Sequence, residues 1–225
     1  MRKALSIQNK DIFKAIHRSQ HCQRNWDLDS EIPQEDIDII LEAVTQCPSK
    51  QNRDFYKVHI VQDRKTIEQI HDATQGFVLS RDQITTNTQV LAHLCLVFEE
   101  YTDPEIYKQE YIRQLINMGK YTGSIDQMDN EEALMHVNNQ LQRDSHMAIG
   151  VAAGYANLTA SLLGYSSGCC ACFNPAKVGE ILNTGNPMLI MGIGIPGSKN
   201  RRIHHVDETI KFPTLKKRPI EVVTH

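Results

Sequence analysis

Two nearly unbroken apolar runs, Val90 to Phe98 and Pro187 to Ile195, constrain the fold more than any other feature of this chain. A strand with one face in water alternates apolar and polar residues, so runs this continuous predict strands covered on both faces. The covers are legible around them. Asp11 to Ser19 carries Ile12, Phe13 and Ile16 at helical spacing. Pro33 suits a first helical turn, Glu35 and Asp36 stand at the favourable end of the dipole, and Ile37, Ile40, Leu41 and Val44 mark one buried face. That helix must stop before Pro48, because the residue ahead of a proline is pushed out of the helical region. Tyr56 to Val61 alternates like a strand with one covered face, and Lys65 to Thr74 reads as a helix. Ala148, Val151, Ala152, Tyr155, Leu158, Thr159 and Leu162 belong to a long helix whose other side is smoothed by Ala153, Ala156 and Ala160. Apolar nearly all round, it is expected to be buried, in part against a second subunit. Strands separated by helices, without internal repeat or regular β-α alternation, predict an α+β sheet with helices packed on it.

With 225 residues, 40% of them apolar, the chain can build one substantial core, so a single domain over 1–225 is expected, with a polar, lid-like excursion at 103–130. A net charge of −3 leaves no basic footprint for nucleic acid and favours a small-molecule partner. Val90 to Phe98 and Met147 to Leu163 are broken by His, Asn or Thr and fall short of a membrane span. Met1 to Lys10 lacks the continuous apolar stretch of a secretory signal. A cytoplasmic protein with its six cysteines reduced is the expectation.

Five separated segments carry candidate chemistry. Lys216-Lys217-Arg218, followed by Pro219, offers a guanidinium fork beside point charges, suited to a terminal phosphate, or else a solvated basic tail. Arg24, with His21 and Cys22 close by, lies just beyond the first helix and would meet the same phosphate if the tail folds back. Cys47-Pro48-Ser49-Lys50-Gln51-Asn52 sets Ser and Asn side chains at the rim of the sheet, where ligand contacts are common, or simply ends a helix with turn-forming residues. Gly164 to Asn174 contains two glycines and small side chains that let backbone N–H groups approach a flat ring. Thr85 to Gln89 enters the first apolar run from a polar turn and either offers amide hydrogen bonds to a uracil-like edge or starts a strand. Cys169 to Cys172 is also a C-x-x-C. A thioredoxin-like dithiol needs a strand before the motif, whereas an apolar helix precedes it here, and a zinc site needs a second ligand pair that the isolated Cys22, Cys47 and Cys95 do not supply.

Together these patches resemble the nitroreductase family of FMN-dependent oxidoreductases. Gln20-His21-Cys22-Gln23-Arg24-Asn25-Trp26-Asp27 is similar to its Arg-x-Ser-x-Arg/Lys-x-aromatic-Asp opening motif, and Cys47 to Asn52 to its Ala-Pro-Ser-x-x-Asn loop. Gly164 to Asn174 falls where the family places the loop over flavin N5, and Lys216 and Arg218 match its C-terminal phosphate pair. The resemblance implies a central mixed, mainly antiparallel sheet flanked by helices, in an intertwined homodimer with two FMN molecules at the subunit interface. It implies cofactor contacts from Gln20, His21, Cys22 and Arg24, from Pro48, Ser49 and Asn52, and from Asn87 at the pyrimidine side. Cys169, Cys170, Ala171 and Cys172 would contribute at N5 and O4, the last two through their amides, and Lys216 and Arg218 at the phosphate. Gln20 and Cys22 depart from the family's Arg and Ser, Asp54 and Tyr56 from its Gln and Trp, and Arg18 is a candidate substitute for the missing phosphate Arg.

The activity so implied is ping-pong, two-electron transfer from NADH or NADPH to a nitroaromatic, quinone or similar small acceptor. Arg24 would stabilise charge developing on the flavin, with no side chain acting as nucleophile or general base. Two alternatives stand beside it: a non-catalytic flavin-binding or regulatory protein of the same fold, motivated by Gln20 and Cys22, and a metal or dithiol protein built on Cys169 and Cys172.

Overall fold

In the computed structural model, the described residues are 8–74, 77–80, 83–85, 87–101, 109, 112–113, 115–120, 122, 131–197 and 217–224, those at 51, 77–80, 83–85 and 131–138 by backbone alone. Helices α1 (Asn9–Ser19), α2 (Gln34–Thr45), α3 (Arg64–Asp72), α4 (Glu131–Leu163) and α5 (Pro175–Leu182) surround strands β1 (Tyr56–Val61), β4 (Leu94–Glu100), β5 (Ser166–Cys170) and β6 (Asn186–Gly194). These strands form one sheet in the order β1-β4-β6-β5. A separate hairpin pairs β2 (Phe77–Ser80) with β3 (Gln83–Thr85). Every pairing among the described strands is antiparallel, in keeping with the mainly antiparallel sheet expected.

The central strand β4 is buried along six of its seven residues because both faces are covered. Leu94, Leu96 and Phe98 face α2 and α4 with Met191 and Ile193 of β6, while Cys95 and Val97 face α3 and α5 with Ile190 and Cys170. The strand starts later than its apolar run suggested. Thr88–Val90 instead forms a single 3-10 turn that packs on the sheet. Thr88 and Gln89 of the turn are buried although polar, and Val90, its last residue, continues into the apolar run of the strand, so hydropathy does not mark where the strand begins.

Local signals fix the helix ends. Pro33 caps α2, and the buried Asp36 of its first turn accepts a 2.6 Å hydrogen bond from the Tyr165 hydroxyl. Asp63 caps α3 by accepting from the Thr66 amide at 2.8 Å, and Asn174 caps α5 by accepting from the Lys177 amide at 3.2 Å. The C-terminus of α4 is a Schellman motif. The Tyr165 amide returns to the Ala160 carbonyl at 2.9 Å and the Gly164 amide to Ser161 at 3.2 Å, with Gly164 at φ +102°. The chain then enters β5 directly, so Gly164 to Asn174 is a helix stop followed by a strand rather than the loop anticipated. On α4, Ala148, Ala152, Ala153, Ala156 and Ala160 are buried, while Met147, Val151, Tyr155, Leu158 and Leu162 form an exposed stripe. The excursion at 103–130 lies largely outside the described residues; Ile112 within it is buried.

Candidate functional site

The opening motif is laid along the β5 side of the sheet by its backbone. The Gln23 amide donates to the Ser167 carbonyl at 2.8 Å, the Asp27 amide to Ile195 at 3.0 Å and the Gly197 amide to Asn25 at 2.9 Å. Buried Gln23 orients the next residue, its Oε1 accepting from the Arg24 amide at 3.0 Å. The 3-10 turn is tied to the same segment: Thr88 Oγ1 donates to the Arg24 carbonyl and Trp26 Nε1 to the Thr88 carbonyl, both at 2.9 Å.

These ties bring three distant patches together. Arg24 Nη1 donates to Gln89 Oε1 at 2.5 Å. Gln89 Nε2 lies 3.3 Å from Asn87 Oδ1 and 3.4 Å from the Cys169 carbonyl, and Asn87 Nδ2 donates to the Cys172 carbonyl at 3.1 Å. Asn87 and Gln89 are each only 3% exposed, whereas Ala171 and Cys172, just past the end of β5, are open to solvent. The turn can approach so closely because Gly168 and Gly192 face each other across β5 and β6. A Cβ on Gly192 would stand 1.9 Å from the Gln89 carbonyl oxygen, and one on Gly168 2.5 Å from the Gln23 carbonyl oxygen and 2.6 Å from Gln89 Cβ.

Gln20 and Arg18 do other work. The exposed Gln20 turns its Nε2 back to the His17 carbonyl at 3.1 Å, finishing α1, and Arg18 Nη1 donates to the Ser161 carbonyl at 3.1 Å, at the C-terminus of α4. Half-buried His21 and Cys22 follow, the Cys22 sulfur lying 3.2 Å from where a Gly168 Cβ would sit.

The Cys47 to Asn52 segment lies elsewhere. It leads into β1, at the opposite edge of the sheet from β5, three strand spacings or roughly 14 Å away. Buried Cys47 and the Tyr56 hydroxyl, 3.1 Å apart, both turn to the end of α2, and burial followed by Cys47 holds the Tyr56 phenol above its ordinary pKa, as a structural group. Pro48 is exposed, Ser49 Oγ donates to the Arg53 carbonyl at 2.6 Å, and Asn52 adopts the left-handed conformation at φ +60°. Ser49 and Asn52 line a cavity of about 620 Å³ with Arg53, Tyr56, Lys57 and His59. His59 Nε2 in turn lies 2.8 Å from a carboxylate oxygen of buried Glu99. Burial opposes charge on Glu99, but hydrogen bonds from Thr184, His59 and the Gly185 amide prevail and hold its pKa at about 2.

The C-terminal basic patch is only partly in view. Lys216 lies outside the described residues, and Arg218 is exposed within a segment that has no regular secondary structure and also exposes Ile220 and Val222.

The cysteine motif sits at the end of a strand, with α5 starting three residues beyond, so the sequence argument against a dithiol from a preceding helix does not hold. Cys169, the first thiol of the pair, argues against it. Desolvation first, then Cys22 and Cys170, pushes Cys169 up to about 12, and desolvation pushes Cys170 up to about 11. Protonated thiols are poor nucleophiles. Among the described residues no group of three or more His, Cys, Asp or Glu is arranged to hold a metal ion.

Sequence reading passed over Gln89 as the junction of the cluster. The usable signal was the pair of glycines interrupting the apolar run at Gly192 and Gly194, since glycine inside a strand marks a close backbone approach.

The nitroreductase family model matches residues 18–195, which include the opening motif, the Cys47 to Asn52 loop and β5. The chain belongs to the nitroreductase family. Solved structures of nitroreductase type share its fold. One from Bacillus subtilis aligns at TM-score 0.63 and 17% identity, covering 95% of this chain and 97% of that one. A nitroreductase-like protein from Streptococcus mutans aligns at TM-score 0.60 and 16% identity, covering 96% of this chain and 100% of that one. A third, from Exiguobacterium sibiricum and solved in complex with FMN, aligns at TM-score 0.57 and 15% identity, covering 95% of this chain and 94% of that one. No curated protein sequence matches the chain. In this member of the family, the Gln20 to Asp27 segment, Asn87 and the end of β5 form one cluster, and the Cys47 to Asn52 loop stands apart.

Proposed function

We propose that this protein is an FMN-dependent oxidoreductase that passes two electrons from NADH or NADPH to a small acceptor such as a nitroaromatic or a quinone. The observation that carries this reading is the convergence of Arg24, Asn87 and Gln89 beside the exposed Ala171 and Cys172. The donor set fits a flavin: a guanidinium, primary amides and backbone amides at the end of a strand, with no carboxylate in the hydrogen bonds that join them. Bound FMN supplies the electron chemistry, so no nucleophile or general base is required of the chain.

The residues then divide the work. Arg24, held by Gln89, presents positive charge where negative charge develops on the ring system. Asn87 orients the pyrimidine edge, and the amides of Ala171 and Cys172 hold the opposite edge. His21 and Cys22 border the phosphate end, with Lys216 and Arg218 supplying its cations. Pro48, Ser49 and Asn52 reach the same cofactor from a second copy of the chain, because one copy places them at the far edge of the sheet. A homodimer is supported by the exposed stripe on α4, where Met147 is 63% and Tyr155 45% exposed, and by the neighbouring α1, where Phe13 is 64% exposed. An apolar face this long marks an interaction surface. No helix among the described residues is long and apolar enough to cross a membrane, and we place the protein in the cytoplasm with its nicotinamide donor.

The test is an absorption spectrum of the purified protein, followed by anaerobic NADH or NADPH. Flavin bands that bleach support the reading. A preparation that stays colourless after incubation with excess FMN overturns it. Gln20, bonded back to the His17 carbonyl at the end of α1, favours one second reading, a flavin-binding protein without turnover, which predicts flavin bands that neither nicotinamide bleaches.

A further inference from the structure

The loop from Ser49 to Phe55 is gripped from beneath by two consecutive residues of α4. Asp144, whose side chain is only 4% exposed, meets Lys50 Nζ at 2.5 Å and Arg143 Nη2 at 3.6 Å. Ser145, fully buried, donates its hydroxyl to the Phe55 carbonyl at 2.7 Å. The two anchors hold the loop on either side of Asn52, the residue at φ +60°, and the Ser49 to Arg53 hydrogen bond closes the turn between them. Burying a carboxylate is costly unless it is paired, and such a pair contributes little net stability even when its geometry is good. What it provides is a fixed position. We propose that Asp144, through Lys50 and with Ser145, is the positioning residue of the Ser49 to Asn52 loop, holding Asn52 and its flanking amides in the conformation that receives the cofactor. A loop fixed before binding loses less freedom on binding, so the clamp acts on affinity.

The inference rests on the cofactor reading of this loop, and two readouts on the full-length protein separate the two. The first is amide hydrogen exchange over Ser49 to Arg53 without added cofactor. The second is the dissociation constant of FMN by fluorescence titration. Asp144→Asn and Lys50→Met are each expected to speed exchange in the loop and to raise the FMN dissociation constant by about tenfold, the scale of one charge-assisted hydrogen bond. Lys50→Arg, which keeps the charge, is expected to stay within about threefold of the parent. The double variant Lys50→Met with Asp144→Asn should be no worse than the more damaging single change, since both break the Lys50 to Asp144 pair. Unchanged exchange in both single variants overturns the clamp, and so do effects that simply add in the double variant. If the parent protein itself does not bind FMN, the cofactor reading falls, and the clamp stands or falls on the exchange data alone. Thermal unfolding checks that each variant is folded at the temperature used. Should Asp144→Asn fail to fold, Lys50→Met, whose site is 43% exposed, carries the test.

Discussion

The two edges of the sheet hold their polar residues by different physics. Beside β5, one cation and several neutral amides are locked by shape: Gln89 is seated on Gly192 with no room for a methyl group, and Arg24 and Asn87 hang from it. Beside β1, the loop and the strand are held through charged groups, Lys50 with Asp144 and the Glu99 carboxylate with its hydrogen-bond donors. A shape-locked cluster resists pH and salt but tolerates no added atom. A charge-locked one accepts small changes in volume but answers to protons and ions. In the functional reading the two edges meet only across two copies of the chain, and the predictions run from that assumption down to the weakest of the charges.

The largest effect should come from separating the copies. Val151 and Tyr155 lie on the exposed stripe of α4, and changing both to Glu would bury two unpaired carboxylates in the proposed dimer. Assembly should lose about 4 kcal/mol or more, giving monomers by analytical ultracentrifugation that no longer retain FMN through gel filtration. Dimers that survive, or monomers that keep FMN, would show that the two edges need not be brought together.

Next is the shape lock. Gly192→Ala places a Cβ 1.9 Å from a backbone oxygen that cannot swing aside, so the turn carrying Gln89 must move. A loss of about 3 kcal/mol in chemical denaturation is expected, at the upper end for overpacking. A loss under about 0.5 kcal/mol, as at an ordinary surface site, would mean that the turn is not wedged on the sheet.

The Glu99 network comes third. Its pKa of about 2 lies below the ordinary 4.5, so the folded chain binds the proton more weakly than the unfolded one. The stabilisation is therefore complete above about pH 4.5 and is lost as pH falls towards 2. About 2–3 kcal/mol should disappear over that window, and Glu99→Gln should flatten this part of the pH profile. If parent and variant lose stability in parallel between pH 4.5 and 2, Glu99 is not the group responsible.

Where neighbouring residues act alone, the sequence was legible. Tyr56 to Val61 became a strand with those bounds, and α2 ran between Pro33 and Pro48 because proline acts on the backbone next to it. Asp11 to Ser19 and Lys65 to Thr74 shifted by no more than two residues at either end. What failed was set by partners distant in sequence. The apolar character of Val90 to Phe98 could not show that Val90 belongs to a turn, because that depends on a glycine in β6. Gly164 to Asn174 read as a loop because Ser166, Ser167 and Gly168 are small, yet they are small where Gln23, Gln89 and Asn157 press on the strand. The site divides in the same way. Arg24 and Asn87 stood out by residue type, whereas the pairing of Arg24 with Gln89 spans 65 residues and that of Lys50 with Asp144 spans 94, beyond any periodicity.

The smallest effect separates the two kinds of lock most cleanly. Salt screens charges that solvent can reach, and Lys50 has a side chain 43% exposed, while its partner Asp144 is 4% exposed. Raising sodium chloride from roughly 0.05 M to roughly 1 M shortens the screening length from over 10 Å to about 3 Å, which should weaken this half-exposed pair by about 0.5 kcal/mol or less. The link from Arg24 to Gln89 joins a cation to a neutral amide and has no opposite charge to lose. Hydrogen exchange at the two salt concentrations should therefore speed up two- to threefold over Ser49 to Arg53 and stay constant over Asn87 to Val90. Equal acceleration of both segments would mean that salt loosens the whole fold. Acceleration confined to Asn87 to Val90 would reverse the assignment of charge to one edge and shape to the other.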